Sequence, residues 1–335
     1  MGLDTSVIWT IIIYFAVFMY VLLDGFDLGI GMLFPFVKDA RDRDTMMNTV
    51  APVWDGNETW LVLGGTGLLA AFPVAYSIIL SGLYLPLVFM LVGLVFRGVA
   101  FEFRFKASEG GRHVWDKAFI GGSVVASFFQ GVALGAFLDG ITVSGRSYAG
   151  GPLDWVAPFP LLSGFGVMIA YTLLGSTWLV MKTEGELHLR MVQVARPFAL
   201  MLLASVVVVS IWTPLRDPAV ADRWFTFPNI VFLAPVPILV LLSIALLLGS
   251  LKRNPYRWPF VAALALIFLG YTGMAISIWP HIVPPFITIW EAASPPSSQV
   301  FTLVGTLVIL PIILMYTVWS YWVFRGKVKA DAGYH

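Results

Sequence analysis

Two carboxylates, Asp24 and Asp27, lie inside an otherwise apolar run that extends from about residue 7 to residue 37. A run of about 30 residues, at about 1.5 Å per residue, is long enough to cross a bilayer with some tilt. A carboxylate near the centre of such a helix costs about 2.5 to 3.5 kcal/mol, so it normally faces a protein interior or a wet cavity. Both acids share one helix face with Tyr20, one turn earlier. This pattern indicates proton handling, or pairing with a buried cation.

A second pair of acids, Asp55 and Glu58, stands where the chain enters its next apolar segment. In one interpretation Asp55 is a helix N-cap and Glu58 completes a capping box, where acids favour the positive helix end. In the other, these acids lie at the cytoplasmic mouth of a proton route and Asp27 and Asp24 lie deeper, as a graded series of protonatable groups. The two interpretations are compatible, and the sequence leaves both open.

Arg97 lies within an apolar segment, about 10 Å along the helix before Arg104. Its long side chain could snorkel to the cytoplasmic surface. Otherwise it requires an anion inside the membrane, and Asp24, Asp27, Asp55 or a bound ligand are the candidates.

The four histidines, His113, His188, His281 and His335, fall in predicted loops, span ends or the tail. A haem within a membrane normally takes an axial His or Met inside a helix bundle, so the chain offers no histidine for one. Its 12 Met are more typical of packing, and the absence of Cys excludes disulfides and thiolate metal sites. We therefore expect this chain to bind neither haem nor metal. It also contains no dinucleotide or phosphate-loop motif.

The elements that position these residues are membrane-spanning helices. The 335-residue chain is 59% hydrophobic and 12% charged, against about 25% charge in ordinary soluble domains. The first apolar segment is too long for a signal-peptide core, so we expect a retained span. Apolar periodicity and its breaks predict an all-α polytopic membrane protein with nine spans, and a tight hairpin at 71–76. The predicted spans are 7–36, 56–73, 75–103, 116–138, 158–181, 195–213, 228–250, 258–280 and 300–324.

Basic residues predict the orientation, because cytoplasmic loops are enriched in Lys and Arg. If the N-terminus is outside and the C-terminus cytoplasmic, sixteen of the 20 basic residues fall on the cytoplasmic side. The outer loops then hold Arg146, Arg216 and Arg223. The sixteen are Lys38, Arg41, Arg43, Arg104, Lys106, Arg112, Lys117, Lys182, Arg190, Arg196, Lys252, Arg253, Arg257, Arg325, Lys327 and Lys329.

The whole chain, 1–335, is predicted to form one integral membrane domain. A short internal echo relates the six residues that begin at Tyr20 to the six that begin at Tyr171. The echo is compatible with a duplication that gives one four-helix bundle in about 1–140 and a second in about 155–335, with one peripheral helix.

The same segments carry a family resemblance. The chain resembles subunit II of the cytochrome bd-type quinol oxidases, in order and spacing over nearly its whole length, and Glu58 suggests the cyanide-insensitive branch. The segments that carry the likeness are Leu23-Asp24-Gly25-Phe26-Asp27-Leu28-Gly29, Trp54-Asp55-Gly56-Asn57-Glu58-Thr59-Trp60, 96–104 and 175–185.

This resemblance implies a subunit of a bacterial inner-membrane oxidase that oxidises quinol and reduces dioxygen to water. In such families a larger subunit I binds two b-type haems and one d-type haem, and subunit II binds none. Subunit II supports its partner and lends acids to a cytoplasmic proton pathway, to which Asp27 and Asp55 correspond. Asp24 lies in the same motif, and Arg97 matches a buried family arginine. Some members also contain a structural quinone or a small single-helix subunit.

Two other functions remain open at this point. Acids near the membrane midplane and duplicated bundles are also typical of proton-coupled secondary transporters. Alternatively, the chain is a purely structural subunit whose acids only pair with Arg97 or with a partner. A copurifying haem protein favours an oxidase over a transporter, and activity per haem separates a proton route from a structural role.

Overall fold

The computed structural model describes residues 4–108, 110–253 and 256–328, so Lys329 and His335 lie outside the described residues. Most of the described chain is helical. The helices are α1 (Thr5–Leu33), α2 (Ala40–Asn48), α3 (Trp54–Ala71), α4 (Pro73–Gly82), α5 (Tyr84–Lys106), α6 (Arg112–Asp139), α7 (Pro158–Lys182), α8 (Gly185–Arg216), α9 (Pro218–Phe225), α10 (Asn229–Leu233), α11 (Pro235–Ser250), α12 (Trp258–Ile278), α13 (Ile289–Ala292) and α14 (Pro296–Val323), with a 3-10 turn at Phe34–Phe36. Two antiparallel hairpins join β1 (Val143–Ser144) to β2 (Ser147–Tyr148) and β3 (His281–Val283) to β4 (Ile287–Thr288).

Within the described residues, eight helical segments are long and apolar enough to cross a membrane. This confirms the prediction of an all-α polytopic membrane protein. The eight are α1 with its 3-10 turn, α5, α6, α7, α8, α10 with α11, α12 and α14. The remaining candidate, α3, carries Asp55, Asn57 and Glu58 in its first two turns and is less apolar for that reason.

The predicted single span over 75–103 is wrong, whereas the break between α3 and α4 at Phe72 lies inside the predicted hairpin at 71–76. The helix is interrupted at Leu83, and α4 is a separate helix of 10 residues that begins at Pro73. Apolar side chains of α4 and its flanks pack with the β3–β4 segment and the start of α1, and a Cβ on Gly82 would come within 2.9 Å of the Ile141 side chain. Apolar composition could not separate α4 from α5 because both are buried on one face.

Segments that the sequence predicts as loops contain short elements, among them α2, α9, α13 and both hairpins. Similarly, α8 begins at Gly185, ten residues before the predicted span. Its first turns bury Leu187 and Met191 and expose an ion pair between Glu186 and Arg190 at 3.0 Å. Because the first turns of α8 are amphipathic, they do not form part of a continuous apolar run, and the predicted span therefore begins too late.

The core is centred on the crossing of α1 and α7. Gly29 of α1 lies against the Tyr171 carbonyl, and a Cβ on Gly175 of α7 would come within 2.7 Å of the Gly29 carbonyl carbon. Glycines allow helix backbones to approach this closely in a membrane protein. The crossing brings Phe26 into a stack with Trp178 at 4.3 Å between ring centroids. The acidic segment of α1 is thereby fixed in the centre of the molecule.

We expect Gly29→Ala to destabilise the protein by about 1 to 3 kcal/mol, because the added methyl group meets rigid backbone and forces the helices apart. Gly166→Ala is the control, since Gly166 lies on α7, the helix that Gly29 contacts, and a Cβ there has no atom within 4 Å. The measurement is the midpoint of thermal unfolding in detergent. Equal midpoints for the two variants would contradict this account of the crossing.

Candidate functional site

A buried ion-pair cluster joins three helices at the centre of the chain. The Arg97 guanidinium, on α5, is fully buried and pairs with Asp24 on α1 and with Glu58 on α3. The Arg97 Nη1 to Glu58 Oε1 distance is 2.9 Å. Arg97 therefore does not snorkel to a surface. One guanidinium is shared by two carboxylates.

Aromatic rings and a close helix contact hold Arg97 in this position. The rings of Trp54 and Phe101, stacked on each other at 5.1 Å, lie 5.6 and 5.8 Å from its guanidinium carbon. A Cβ on Gly122 of α6 would come within 2.7 Å of the Arg97 backbone nitrogen, so a glycine is required there for α5 to approach α6. The cation is thus surrounded by π faces and carboxylates, which compensate for its removal from water.

Asp27, which is also on α1, makes a polar contact outside the Arg97 cluster. It is fully buried, and its Oδ2 accepts a hydrogen bond of 2.7 Å from the Asn57 side-chain amide. The Asn57 carbonyl oxygen in turn accepts a hydrogen bond of 2.9 Å from the Tyr321 hydroxyl. A continuous line of hydrogen bonds therefore runs from α14 through α3 to α1.

The predicted capping box at the start of α3 is wrong. The helix begins at Trp54, and its N-cap, Val53, makes no side-chain cap hydrogen bond. Glu58 is drawn instead toward Arg97, because a buried cation attracts a carboxylate more strongly than an exposed backbone amide does. Asp55 is exposed, in the first turn of α3, and has no ion pair with any described residue.

The acids differ systematically in exposure. Asp55 is exposed, the Glu58 side chain is 29% exposed, and the Asp24 and Asp27 side chains are at most 1% exposed. The structure thus brings Glu58 together with Asp24 through Arg97 and places Asp27 on a neighbouring contact. The series runs from surface to interior within about two helical turns of α3 and α1.

Two residues of this site, Asn57 and Tyr321, are absent from the sequence-based predictions. Asn57 lies between Asp55 and Glu58, but a single amide carries no periodic signal. Tyr321 lies in the last predicted span, 264 residues away from Asn57, so only the folded chain reveals the contact. Several buried polar atoms at the site, among them the Tyr20 hydroxyl, Asp24 Oδ2 and Asp27 Oδ1, have no hydrogen-bond partner among the described residues. Such atoms are normally satisfied by ordered water.

A second ionic cluster fixes α2 beneath the bundle. Asp116 accepts from Arg104 at 2.5 Å and from Arg43 at 2.7 Å, and Asp44 pairs with Arg104 and Arg112. The Arg43 side chain also donates to the Val37 and Phe34 carbonyls. All of these groups belong to segments that the basic-residue count assigns to the cytoplasmic side. Their role is to hold α2 against α5 and α6.

The described histidines lie at helix ends and in connecting segments. His113 is at the start of α6, His188 is 2.9 Å from the Val180 carbonyl in the first turn of α8, and His281 opens β3. No group of three or more His, Cys, Asp or Glu among the described residues could hold a metal ion.

The fold and the site together define a polytopic helical membrane protein with acids buried around one arginine. Over residues 5–324 the chain matches the family model of the cytochrome bd terminal oxidase subunit II. The chain belongs to this family.

Individual relatives of the chain are also subunits of this kind of oxidase. The chain is 32% identical to the cytochrome bd-I ubiquinol oxidase subunit 2 of Escherichia coli strain K12, over 97% of this chain and 95% of the relative. It is 29% identical to the cytochrome bd ubiquinol oxidase subunit 2 of Bacillus subtilis strain 168, over 96% of each. In fold it is similar to a chain in the structure of bd oxidase from Geobacillus thermodenitrificans, with a TM-score of 0.79, 18% identity, and coverage of 96% of this chain and 99% of that one.

Proposed function

We propose that this chain is the subunit II of a bacterial respiratory quinol:dioxygen oxidoreductase and that its buried acids conduct protons from the cytoplasm toward a haem-bearing partner. Family membership supports the oxidase, and it disfavours the alternative of a secondary transporter. The observation that supports proton conduction is the exposure series from Asp55 through Glu58 to Asp24 and Asp27. Reduction of dioxygen to water consumes protons, so an oxidase in a membrane needs a route for them.

The cluster around Arg97 is suited to exchanging a proton. With both Asp24 and Glu58 ionised, the three groups carry one net negative charge, and uptake of one proton makes them neutral while the cation keeps a partner. Because burial disfavours uncompensated charge, this uptake removes a net charge from a buried site. We propose that protons enter at Asp55 and Glu58, pass Asp27 and Asp24, and cross into the partner.

The direction of this route determines how energy is conserved. If dioxygen reduction takes protons from the cytoplasm while quinol oxidation releases protons outside, each turnover moves charge across the membrane without a pump. This requires the orientation that the basic residues predict, with the N-terminus outside and the C-terminus cytoplasmic, in the bacterial inner membrane.

The proposed partner is a subunit I that holds two b-type haems and one d-type haem and oxidises quinol. The placement of His113, His188 and His281 away from helix centres is compatible with haem sites in the partner. A small single-helix subunit, lipid and a structural quinone complete the assembly that the family resemblance implies.

The proposed architecture counts α3 as a ninth span. It runs along α1, and at 18 residues it is about 27 Å long. One four-helix bundle then comprises α1, α3, α5 and α6, within about 1–140. The second comprises α7, α8, α11 and α12, within about 155–335, and α14 is the peripheral helix. The exposure of α14 supports its peripheral position, because no residue in its most apolar stretch is buried by this chain.

Copurification tests the oxidase assignment. We expect the chain, tagged and purified from its native membrane in mild detergent, to bring a larger subunit whose haems give visible absorption bands. The same chain expressed without its partner is expected to be colourless, because its described histidines lie away from helix centres. A colourless single-chain preparation from native membrane, active in transport, would contradict the proposal.

Glu58 also underlies our proposal that the complex belongs to the cyanide-insensitive branch. The experiment is a cyanide titration of quinol oxidase activity in membranes, with a haem-copper oxidase as the sensitive reference. Inhibition of both enzymes at the same cyanide concentration would contradict this placement.

A further inference from the structure

The hydrogen-bonded line from Tyr321 to Asp27 joins the peripheral helix to the centre of the proposed proton route. Tyr321 lies near the C-terminal end of α14, Asn57 is in the first turn of α3, and Asp27 is on α1. The two bonds measure 2.9 and 2.7 Å between heavy atoms. Asn57 is buried and uses its carbonyl oxygen and its amide group in opposite directions.

We infer that Tyr321 and Asn57 are positioning residues that orient the Asp27 carboxylate and tune its proton exchange. This inference rests on the proposed function, in which Asp27 carries protons. An amide donor leaves only one Asp27 oxygen, Oδ1, free to exchange a proton, since Oδ2 is occupied. The Tyr321 hydroxyl polarises the same amide and strengthens its donation, as expected for a cooperative chain of hydrogen bonds.

The Tyr321 ring is held tightly enough for this role. It makes edge contacts with Phe26 and Trp178 at 6.5 and 6.2 Å between ring centroids. The Trp178 indole is itself fixed by a hydrogen bond of 3.1 Å to the Thr49 hydroxyl. Because Phe26 directly precedes Asp27 on α1, the ring and the hydroxyl of Tyr321 contact the same stretch of backbone.

A buried lysine fixes the end of α14 at the same level. The Lys182 ammonium at the end of α7 donates to the Phe324 carbonyl at 2.5 Å and to the Gly326 carbonyl at 3.2 Å. A cation at the carbonyl end of a helix is favourable. The rest of α14 buries only Gln299 within this chain, so the Tyr321 end is anchored by specific polar contacts. These contacts hold the Tyr321 end of the peripheral helix against α7.

The test uses the whole complex with its haem-bearing partner, and turnover is expressed per haem. We expect Tyr321→Phe to lower quinol oxidase turnover about fivefold, the ratio that corresponds to a hydrogen bond of about 1 kcal/mol. We expect Asn57→Leu, which removes both bonds, to lower it more than Tyr321→Phe. Tyr316→Phe is the matched control, because Tyr316 is on the same helix and is 60% exposed. Its turnover is expected to be unchanged.

A double-mutant cycle separates positioning from a structural role. If Tyr321 acts through Asp27, Tyr321→Phe adds no further loss in an Asp27→Asn background. An equal fractional loss in both backgrounds would overturn the inference, as would lost haem content with normal turnover per haem. If Asp27→Asn lowers turnover and Tyr321→Phe does not, the inference fails and the proton route stands. If Asp27→Asn has full turnover, the proposed route fails, and the inference with it.

Discussion

Replacing Arg97 by Met is expected to abolish assembly of a stable complex. The substitution leaves Asp24 and Glu58 without their cation, and the Asp24 side chain is buried. Removing one member of a buried ion pair costs about 3 to 5 kcal/mol, a large fraction of the stability of a typical domain. The measurement is the yield of haem-containing complex and its midpoint of thermal unfolding.

A charge-balanced variant is the control for this prediction. In Arg97→Met combined with Asp24→Asn and Glu58→Gln, no net charge is buried, so we expect much of the lost yield to return without proton conduction. A surface substitution, Arg41→Met, is expected to change neither quantity, since the Arg41 side chain is 88% exposed. A stable Arg97→Met complex of normal yield would show that the guanidinium does not balance these carboxylates.

The second large effect is expected at Asp27. Asp27→Asn keeps the size and one hydrogen-bonding oxygen of the side chain but removes its exchangeable proton. We expect turnover per haem to fall about 100-fold, the lower end of what a positioned proton donor contributes. Haem content should remain normal, because an amide is neutral in a buried site. The measurement is quinol-dependent oxygen consumption by the purified complex.

Substitutions of two further acids are compared with Asp27→Asn. Asp55→Asn is expected to give a smaller loss, because the exposed Asp55 can be bypassed by water. Asp222→Asn is expected to cause no loss of turnover, since Asp222 is exposed on the short helix α9 and takes no part in the contacts of Arg97 and Asp27. Normal turnover per haem in Asp27→Asn, with reduced assembly, would favour the purely structural interpretation.

The acids themselves could be predicted from sequence, but their partners could not. Asp24 and Asp27 stand out because charge in an apolar run is costly. Arg97 stands out for the same reason, yet its choice of Asp24 and Glu58 depends on how α1, α3 and α5 pack. The sequence does not predict the hydrogen bond from Tyr321 to Asn57, since a tyrosine near the end of a spanning helix is common at a membrane interface.

Some of the helices can be predicted from sequence and others cannot. Long apolar runs such as α7 and α12 were predicted within a few residues. The interruption at Leu83 was missed because apolar composition continues through it. The sequence does not predict the short helix α2, because its many charged residues are typical of a loop. In the structure, ion pairs of Arg43 with Asp116 and of Asp44 with Arg104 hold α2 against the bundle.

Proton transfer through Asp27 is measured by the membrane potential that a single reaction of the reduced complex with dioxygen generates. The complex is reconstituted in vesicles, and a potential-sensitive probe is followed in wild type and in Asp27→Asn at equal haem content. We expect the potential-generating phase in Asp27→Asn to slow by the same factor as turnover. A phase of unchanged rate would show that protons reach the partner without passing Asp27.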